Sequence, residues 1–189
     1  MGPGWHRGQH RAGAVTARPV VPDRIRWAVR VLDPDPADQI LEIGCGPGVA
    51  AGLVCERLST GQLLAIDRSA VAIGRAGQRN ATHVAAGRLT LRQSTLAGLS
   101  VPPDSLDKAF AIDVNLFWVG DPDPELDVLR RVLRPGAVLQ IGYGASGPTG
   151  PARVLDTVSA ALRAQGFTDV TAIVDSAGFG ITARAPGSG

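Results

Sequence analysis

The 189-residue chain predicts an α/β domain: a doubly wound sheet of seven strands, mostly parallel, that ends in an antiparallel C-terminal hairpin. Three observations predict it. Short apolar runs alternate with helical-period segments from Gln39 to Gln165, the pattern of a parallel sheet with crossover helices. A glycine-rich turn joins the first strand to the helix after it. Two β-rich stretches, Phe167 to Val174 and Phe179 to Ala183, then follow one another directly. The connection of Asp175 to Gly178 is too short for a parallel crossover, so these two strands pair antiparallel.

Each element has a local cause. Pro22 and Asp23 are helix-start residues, and Ile25, Ala28, Val29 and Leu32 share one helical face until Asp33-Pro34 ends it. Ile40 to Ile43 is an apolar strand cut off by Gly44-Cys45-Gly46-Pro47-Gly48. Val49 to Leu58 reads as helix with Gly61 at its C-terminal cap. Gln62 to Ile66 is a second strand ending at Asp67. Ser69 caps one helix to about Ala86, and Leu89 to Arg92 is a third strand. Asp107 to Val114 is the fourth strand. Pro124 to Leu133 is a helix stopped by Arg134-Pro135-Gly136, Ala137 to Tyr143 the fifth strand, and Pro151 to Gln165 the last helix.

Residues 1–20, rich in Gly, Pro, His and Arg without periodicity, predict a mobile arm, and residues 21–189 a single domain. Basic residues number 19 against 17 acidic, a net charge of +2, and no run of like charges argues for a dedicated nucleic-acid partner. Lys108 is the only lysine. Cys45 and Cys55 are placed too far apart for a disulfide and lack metal-ligand spacing. No membrane-length apolar stretch or secretory leader is read, so the expected location is the cytoplasm.

The loop Glu42-x-Gly44-x-Gly46-x-Gly48 is where chemistry is expected. Glycines permit a tight turn and a close ligand approach, and the following helix N-terminus favours a phosphate or a carboxylate. The loop alone therefore leaves a nucleotide and an amino-acid-like ligand open. Two details bear on the choice. A dinucleotide fingerprint requires a third glycine where Val49 stands, and Glu42 suits an ammonium group better than a pyrophosphate. Asp67, at the end of the second strand, is placed to accept ribose hydroxyls.

The runs Ile40-Leu41-Glu42-Ile43-Gly44-Cys45-Gly46-Pro47-Gly48, Ala65-Ile66-Asp67-Arg68-Ser69 and Leu129-Arg130-Arg131-Val132-Leu133-Arg134-Pro135-Gly136, in that order, resemble class I S-adenosylmethionine-dependent methyltransferases, of the small-molecule, type 11-like branch. The stretch Asp107 to Pro122 is similar to their fourth strand and following loop. The resemblance runs from about Gln39 to the C-terminus and implies a Rossmann-like fold. It implies S-adenosyl-L-methionine as cofactor and S-adenosyl-L-homocysteine as product. Gly44, Cys45, Gly46, Pro47 and Gly48 would surround the methionine part, Glu42 would hold its amino group and Asp67 the ribose. Arg68, Ser94, Thr95 and Leu96 would flank the adenine, and Asp113 would complete the cofactor site. Thr95 replaces a frequent family Asp, and Phe117 a frequent His.

Methyl transfer from a sulfonium needs alignment and water exclusion more than a base. An oxygen or carbon acceptor would gain from one, and His6, His10, His83, Asp113 and Tyr143 are the candidates. His83 also reads as a solvated helix residue, and His6 and His10 as part of an arm that could fold over the cofactor. Asn115, Trp118 and Tyr143 are the candidate residues for a small-molecule acceptor, although aromatics at strand ends also close cores, as Trp5 and Trp27 could. The short Gly144–Gly150 connection leaves the acceptor site open, to be completed by the arm or by a second subunit in a homodimer. A nicotinamide-dependent oxidoreductase and a non-catalytic cofactor-binding protein are the rival readings.

Overall fold

A computed structural model describes residues 20–145 and 150–187. Its elements are α1 (Asp23–Leu32), β1 (Gln39–Ile43), α2 (Val49–Cys55), β2 (Gln62–Asp67), α3 (Ala70–Arg79), α4 (Ala81–Ala85), β3 (Leu89–Gln93) and β4 (Leu106–Ile112). A 3-10 turn at Asn115–Phe117 is followed by α5 (Asp123–Val132), β5 (Leu133–Gly144), α6 (Pro151–Ala164), β6 (Thr168–Asp175) and β7 (Gly178–Arg184). The strands form one seven-stranded sheet in the order β3-β2-β1-β4-β5-β7-β6. The first five run parallel, and β7 is antiparallel to both β5 and β6. The expected fold class is the observed one.

Strand order reverses between β1 and its neighbours β2 and β4, the switch point at whose C-terminal strand ends sheets of this kind hold their ligands. Side chains alternate between two cores. Ile40, Leu63, Ala65 and Phe110 pack with α1, α2 and α3 on one face. Leu41, Ile66, Ala109, Leu139 and Ile141 pack with α5 and α6 on the other. Burying each Ile, Leu or Phe among them stabilises the fold by about 1.5–3 kcal/mol. Glu42 lies beside Ala65 and Phe110 in register, so its carboxyl enters the α2 side beneath the glycine turn.

Four expectations change. The helix expected from Ser69 to Ala86 is two helices, because Asn80 leaves helical geometry (φ −112°, ψ 26°) while its buried side chain donates to the carbonyls of Gly48 and Ala76. Helix α2 ends at Cys55, and Gly61 does not cap it; a Cβ there would stand 2.3 Å from the Asp38 carbonyl, so glycine is required by chain contact. The Arg134-Pro135-Gly136 segment does not precede β5 but lies within it. Leu133 already pairs with Leu106, and the intervening residues form an irregularity before Lys108 meets Val138. Strand β4 stops at Ile112, since Asp113 adopts φ +57°, a conformation strands do not tolerate.

The lone lysine closes the opposite edge of the sheet: Lys108, 12% exposed, pairs with Asp38 at 3.0 Å and Asp35 at 3.6 Å. No helix among the described residues is long and apolar enough to cross a membrane.

Candidate functional site

The turn after β1 is shaped by three glycines with positive φ: Gly44 at +71°, Gly46 at +51° and Gly48 at +75°. Packing requires two of them. A Cβ on Gly44 would stand 2.6 Å from Val114 Cγ2, and one on Gly48 would stand 2.6 Å from Asn80 Nδ2 and 2.8 Å from Ala76 Cβ. Gly46 is different, because a Cβ there meets nothing within 4 Å. The middle of the turn thus presents bare backbone to open space, where a ligand can approach it. The amides of Gly44 and Cys45 donate to the Ile66 carbonyl, and Gly48 N–H to the Cys45 carbonyl, fixing the bend between β1 and β2.

Two carboxyl groups underlie this turn. Asp67 accepts the Gly46 amide at Oδ2 (2.9 Å) and the Ser69 amide at Oδ1 (2.9 Å). Its half-buried side chain therefore faces the turn, and each oxygen retains a further lone pair for a ligand hydroxyl. Glu42 is 4% exposed, and its Oε2 has no hydrogen-bond partner among the described residues. Burial, and next the negative charge of Asp67, push its pKa up to about 8. A buried, unpaired acceptor is costly, and a cationic hydrogen-bond donor placed in the turn would relieve that cost.

Burial, with Glu42 as the next contributor, raises the Cys45 and Cys55 thiols to about 12, which removes them as nucleophiles near neutral pH. Both are free and buried. No group of three or more His, Cys, Asp or Glu suited to a metal occurs among the described residues.

The other anticipated residues divide by position. The Ser94 amide donates to the Asp67 carbonyl, so the ends of β2 and β3 adjoin. Thr95 is exposed and Leu96 buried beyond them, and the Thr95 hydroxyl accepts the Gly98 amide. Arg68 and Pro47 are exposed at the rim. On the β4 side, Asn115 is exposed and Phe117 is buried in the core. Trp118 is partly buried, and its Nε1 has no partner among the described residues.

Asp113 is already engaged: Oδ2 pairs with Arg24 Nε at 2.7 Å, and Oδ1 accepts the Gly144 amide at 2.9 Å. Tyr143 is 6% exposed, stacks on Phe179 and donates its hydroxyl to the Val114 carbonyl; burial first, then Asp113, raises its pKa. Trp27 is a core residue. His83 stands by the N-terminal end of β3, where its carbonyl accepts the Arg88 amide and its ring lies 3.5 Å from Arg88 Nη2. Trp5, His6, His10 and the expected arm lie outside the described residues. Sequence reasoning missed Asn80, whose buried amide clamps the turn, and Arg24. A polar residue amid a helical run was the only signal for the first, and there was none for the second.

Solved structures with the same fold include a SAM-dependent methyltransferase from Aquifex aeolicus, with a TM-score of 0.71 and 19% identity over 85% of this chain and 89% of that one. The [4+2]-cyclase SpnF has a TM-score of 0.72 and 20% identity, over 88% of this chain and 82% of that one. At such identity these show the fold alone, and the cyclase shows that the fold carries more than one chemistry.

Among curated relatives, a 2-phytyl-1,4-naphtoquinone methyltransferase of Synechococcus elongatus is 33% identical over 113 residues, 59% of this chain and 48% of that protein. A trans-aconitate 2-methyltransferase of Delftia acidovorans is 29% identical over 122 residues, 63% of this chain and 44% of that protein. The chain spans less than half the length of these relatives. The family described as methyltransferase domain matches residues 40–136, just over half the chain, from the first strand through the glycine turn to the start of β5. The chain belongs to this methyltransferase-domain family, within the class I S-adenosylmethionine-dependent methyltransferases.

Proposed function

We propose that this protein binds S-adenosylmethionine in the crevice above β1, β2 and β4 and transfers its methyl group to a small-molecule acceptor. The observation that carries the reading is Glu42 Oε2, a buried acceptor without a partner among the described residues, directly under a glycine turn that has open space at Gly46. That donor set fits the cofactor: an ammonium complements Glu42, and a ribose diol complements the remaining lone pairs of Asp67. The backbone from Gly44 through Cys45, Gly46 and Pro47 to Gly48 would cradle the methionine part. Arg68, Ser94, Thr95 and Leu96 would border the adenine, and Asp113 would shape the β4 side.

When bound, S-adenosylmethionine supplies a methyl group on a sulfonium, already activated for in-line displacement. The task left to the protein is alignment and exclusion of water. Asn115 and Trp118 stand on the acceptor side, with Tyr143 supporting the Val114 backbone from below. Asp113 is paired with Arg24, and Tyr143 donates its hydroxyl to the Val114 carbonyl, so each candidate base already has a structural partner. This favours an acceptor that is nucleophilic without a base at this edge.

The same fact favours one second reading, a cofactor-binding protein without transferase activity. Incubation with methyl-labelled S-adenosylmethionine and a small-molecule extract, with trans-aconitate and a naphthoquinone as defined probes, separates the two. Labelled product that disappears in a Gly46→Val variant supports transfer; no product despite cofactor binding supports the second reading.

A further inference from the structure

Arg24 enters the strand ends through an unusual pair of contacts. It belongs to the first turn of α1, 89 residues from Asp113 in sequence, yet its Nε lies 2.7 Å from Asp113 Oδ2. Helix α1 reaches that far because Trp27, one turn later, lies against a part of the sheet that lacks side chains. A Cβ on Gly178 would stand 3.1 Å from the Trp27 ring, and one on Gly142 would stand 3.4 Å from it. Arg24 itself passes over a third glycine, where a Cβ on Gly144 would be 2.8 Å from Arg24 Cδ.

Asp113 is equally committed. Its second oxygen accepts the Gly144 amide at 2.9 Å, its own amide donates to the Gly142 carbonyl, and it holds φ +57°, costly for a residue with a Cβ. A carboxylate held this tightly by β4 and β5 orients an arginine through Nε alone. Both terminal nitrogens of Arg24 are then left without a partner among the described residues, on a side chain 43% exposed. The residue after Asp113 is Val114, whose Cγ2 would touch a Cβ on Gly44. Asp113, which holds the guanidinium, is thus the sequence neighbour of a residue packed on the glycine turn.

We propose that Arg24, positioned by Asp113, binds the carboxylate of the cofactor's amino-acid end. This rests on the reading of the crevice as an S-adenosylmethionine site. The two acidic groups under the turn, Glu42 and Asp67, suit the ammonium and the ribose and bring no positive charge to a carboxylate, which needs a cation from elsewhere. A guanidinium whose two terminal nitrogens have no partner among the described residues matches a carboxylate in fork geometry. Nε held by Asp113 fixes the plane of that fork, so little side-chain freedom is lost on binding.

Calorimetry with two probes tests it: S-adenosylhomocysteine, which carries the aminocarboxyl end, and 5′-methylthioadenosine, which lacks it. Arg24→Gln should weaken S-adenosylhomocysteine about tenfold or more and leave 5′-methylthioadenosine within about twofold. Arg24→Lys should recover part of the loss. Asp113→Asn, which releases Arg24 but can still accept the Gly144 amide, should give an intermediate loss for the first probe only. Unchanged S-adenosylhomocysteine binding in Arg24→Gln, or equal weakening of both probes, overturns the assignment; the first would leave Arg24 as a strut for Asp113 or a contact for an anionic acceptor, the second as a structural residue. If the unaltered protein binds neither probe, the cofactor reading itself fails, a result distinct from both.

Discussion

Replacing Glu42 with Gln should shift stability and cofactor affinity in opposite directions. In the ligand-free protein this carboxyl is 4% exposed, one oxygen lacks a partner, and burial with Asp67 moves its pKa from the ordinary 4.5 to about 8. Between those values the folded state holds a proton that the unfolded chain has released. The contribution of Glu42 to stability is therefore complete below pH 4.5 and lost as pH rises to about 8. The loss is about 1.4 kcal/mol per pH unit and about 5 kcal/mol at most.

Gln has the same shape and cannot ionise. Variant and parent should melt alike at about pH 5. At about pH 8.5 the variant should be more stable by about 2–5 kcal/mol, or about 5–15 °C in Tm for a domain of this length. At about pH 8.5, where the parent carboxyl is ionised, the variant should bind S-adenosylhomocysteine about tenfold or more weakly, since an amide cannot balance an ammonium. Thermal melts by circular dichroism from about pH 5 to 9, with calorimetry on both proteins, measure the two effects. Parallel pH profiles, or an alkaline loss of stability in the variant, would refute the argument that Glu42 is an unsatisfied buried acid.

Three further substitutions separate the functions of the turn. Gly46→Val introduces a side chain whose Cβ meets no protein atom within 4 Å, so it should cost about 1–2 kcal/mol from its positive φ while abolishing S-adenosylhomocysteine binding; retained binding by calorimetry would remove Gly46 from the cradle. Gly48→Ala places a Cβ 2.9 Å from the Ala76 Cα, which cannot swing aside, and should destabilise by about 2–4 kcal/mol in denaturant melts. Asn80→Ala deletes the donor to two buried carbonyls, and should cost about 1–3 kcal/mol and weaken S-adenosylhomocysteine several-fold as the turn loosens. Full affinity in the last variant would show that the turn holds its form without the clamp.

Most of the fold could be read from the chain because its signals are local. Short β-rich runs, most of them bounded by glycine, marked the seven strands, and the short Asp175–Gly178 connection determined the antiparallel end. Helix breaks and strand ends were less legible, because distant contacts set them. Asn80 interrupts a helical run to reach Gly48, 32 residues away, and Asp113 leaves the strand to be held by Gly144 and Arg24. At the site, Glu42, the glycines and Asp67 were visible because they are contiguous with their strands. The engagement of Asp113 was not, since its partner belongs to a helix whose periodicity says only that Arg24 lies off the apolar face.

The measurement that bears most directly on the central claim is a crystal structure with S-adenosylhomocysteine. It should show the amino group within hydrogen-bond distance of Glu42 Oε2, the ribose hydroxyls on Asp67 and the ligand backbone against Gly46. A ligand bound elsewhere, or one that leaves Glu42 Oε2 without a partner, would contradict the account.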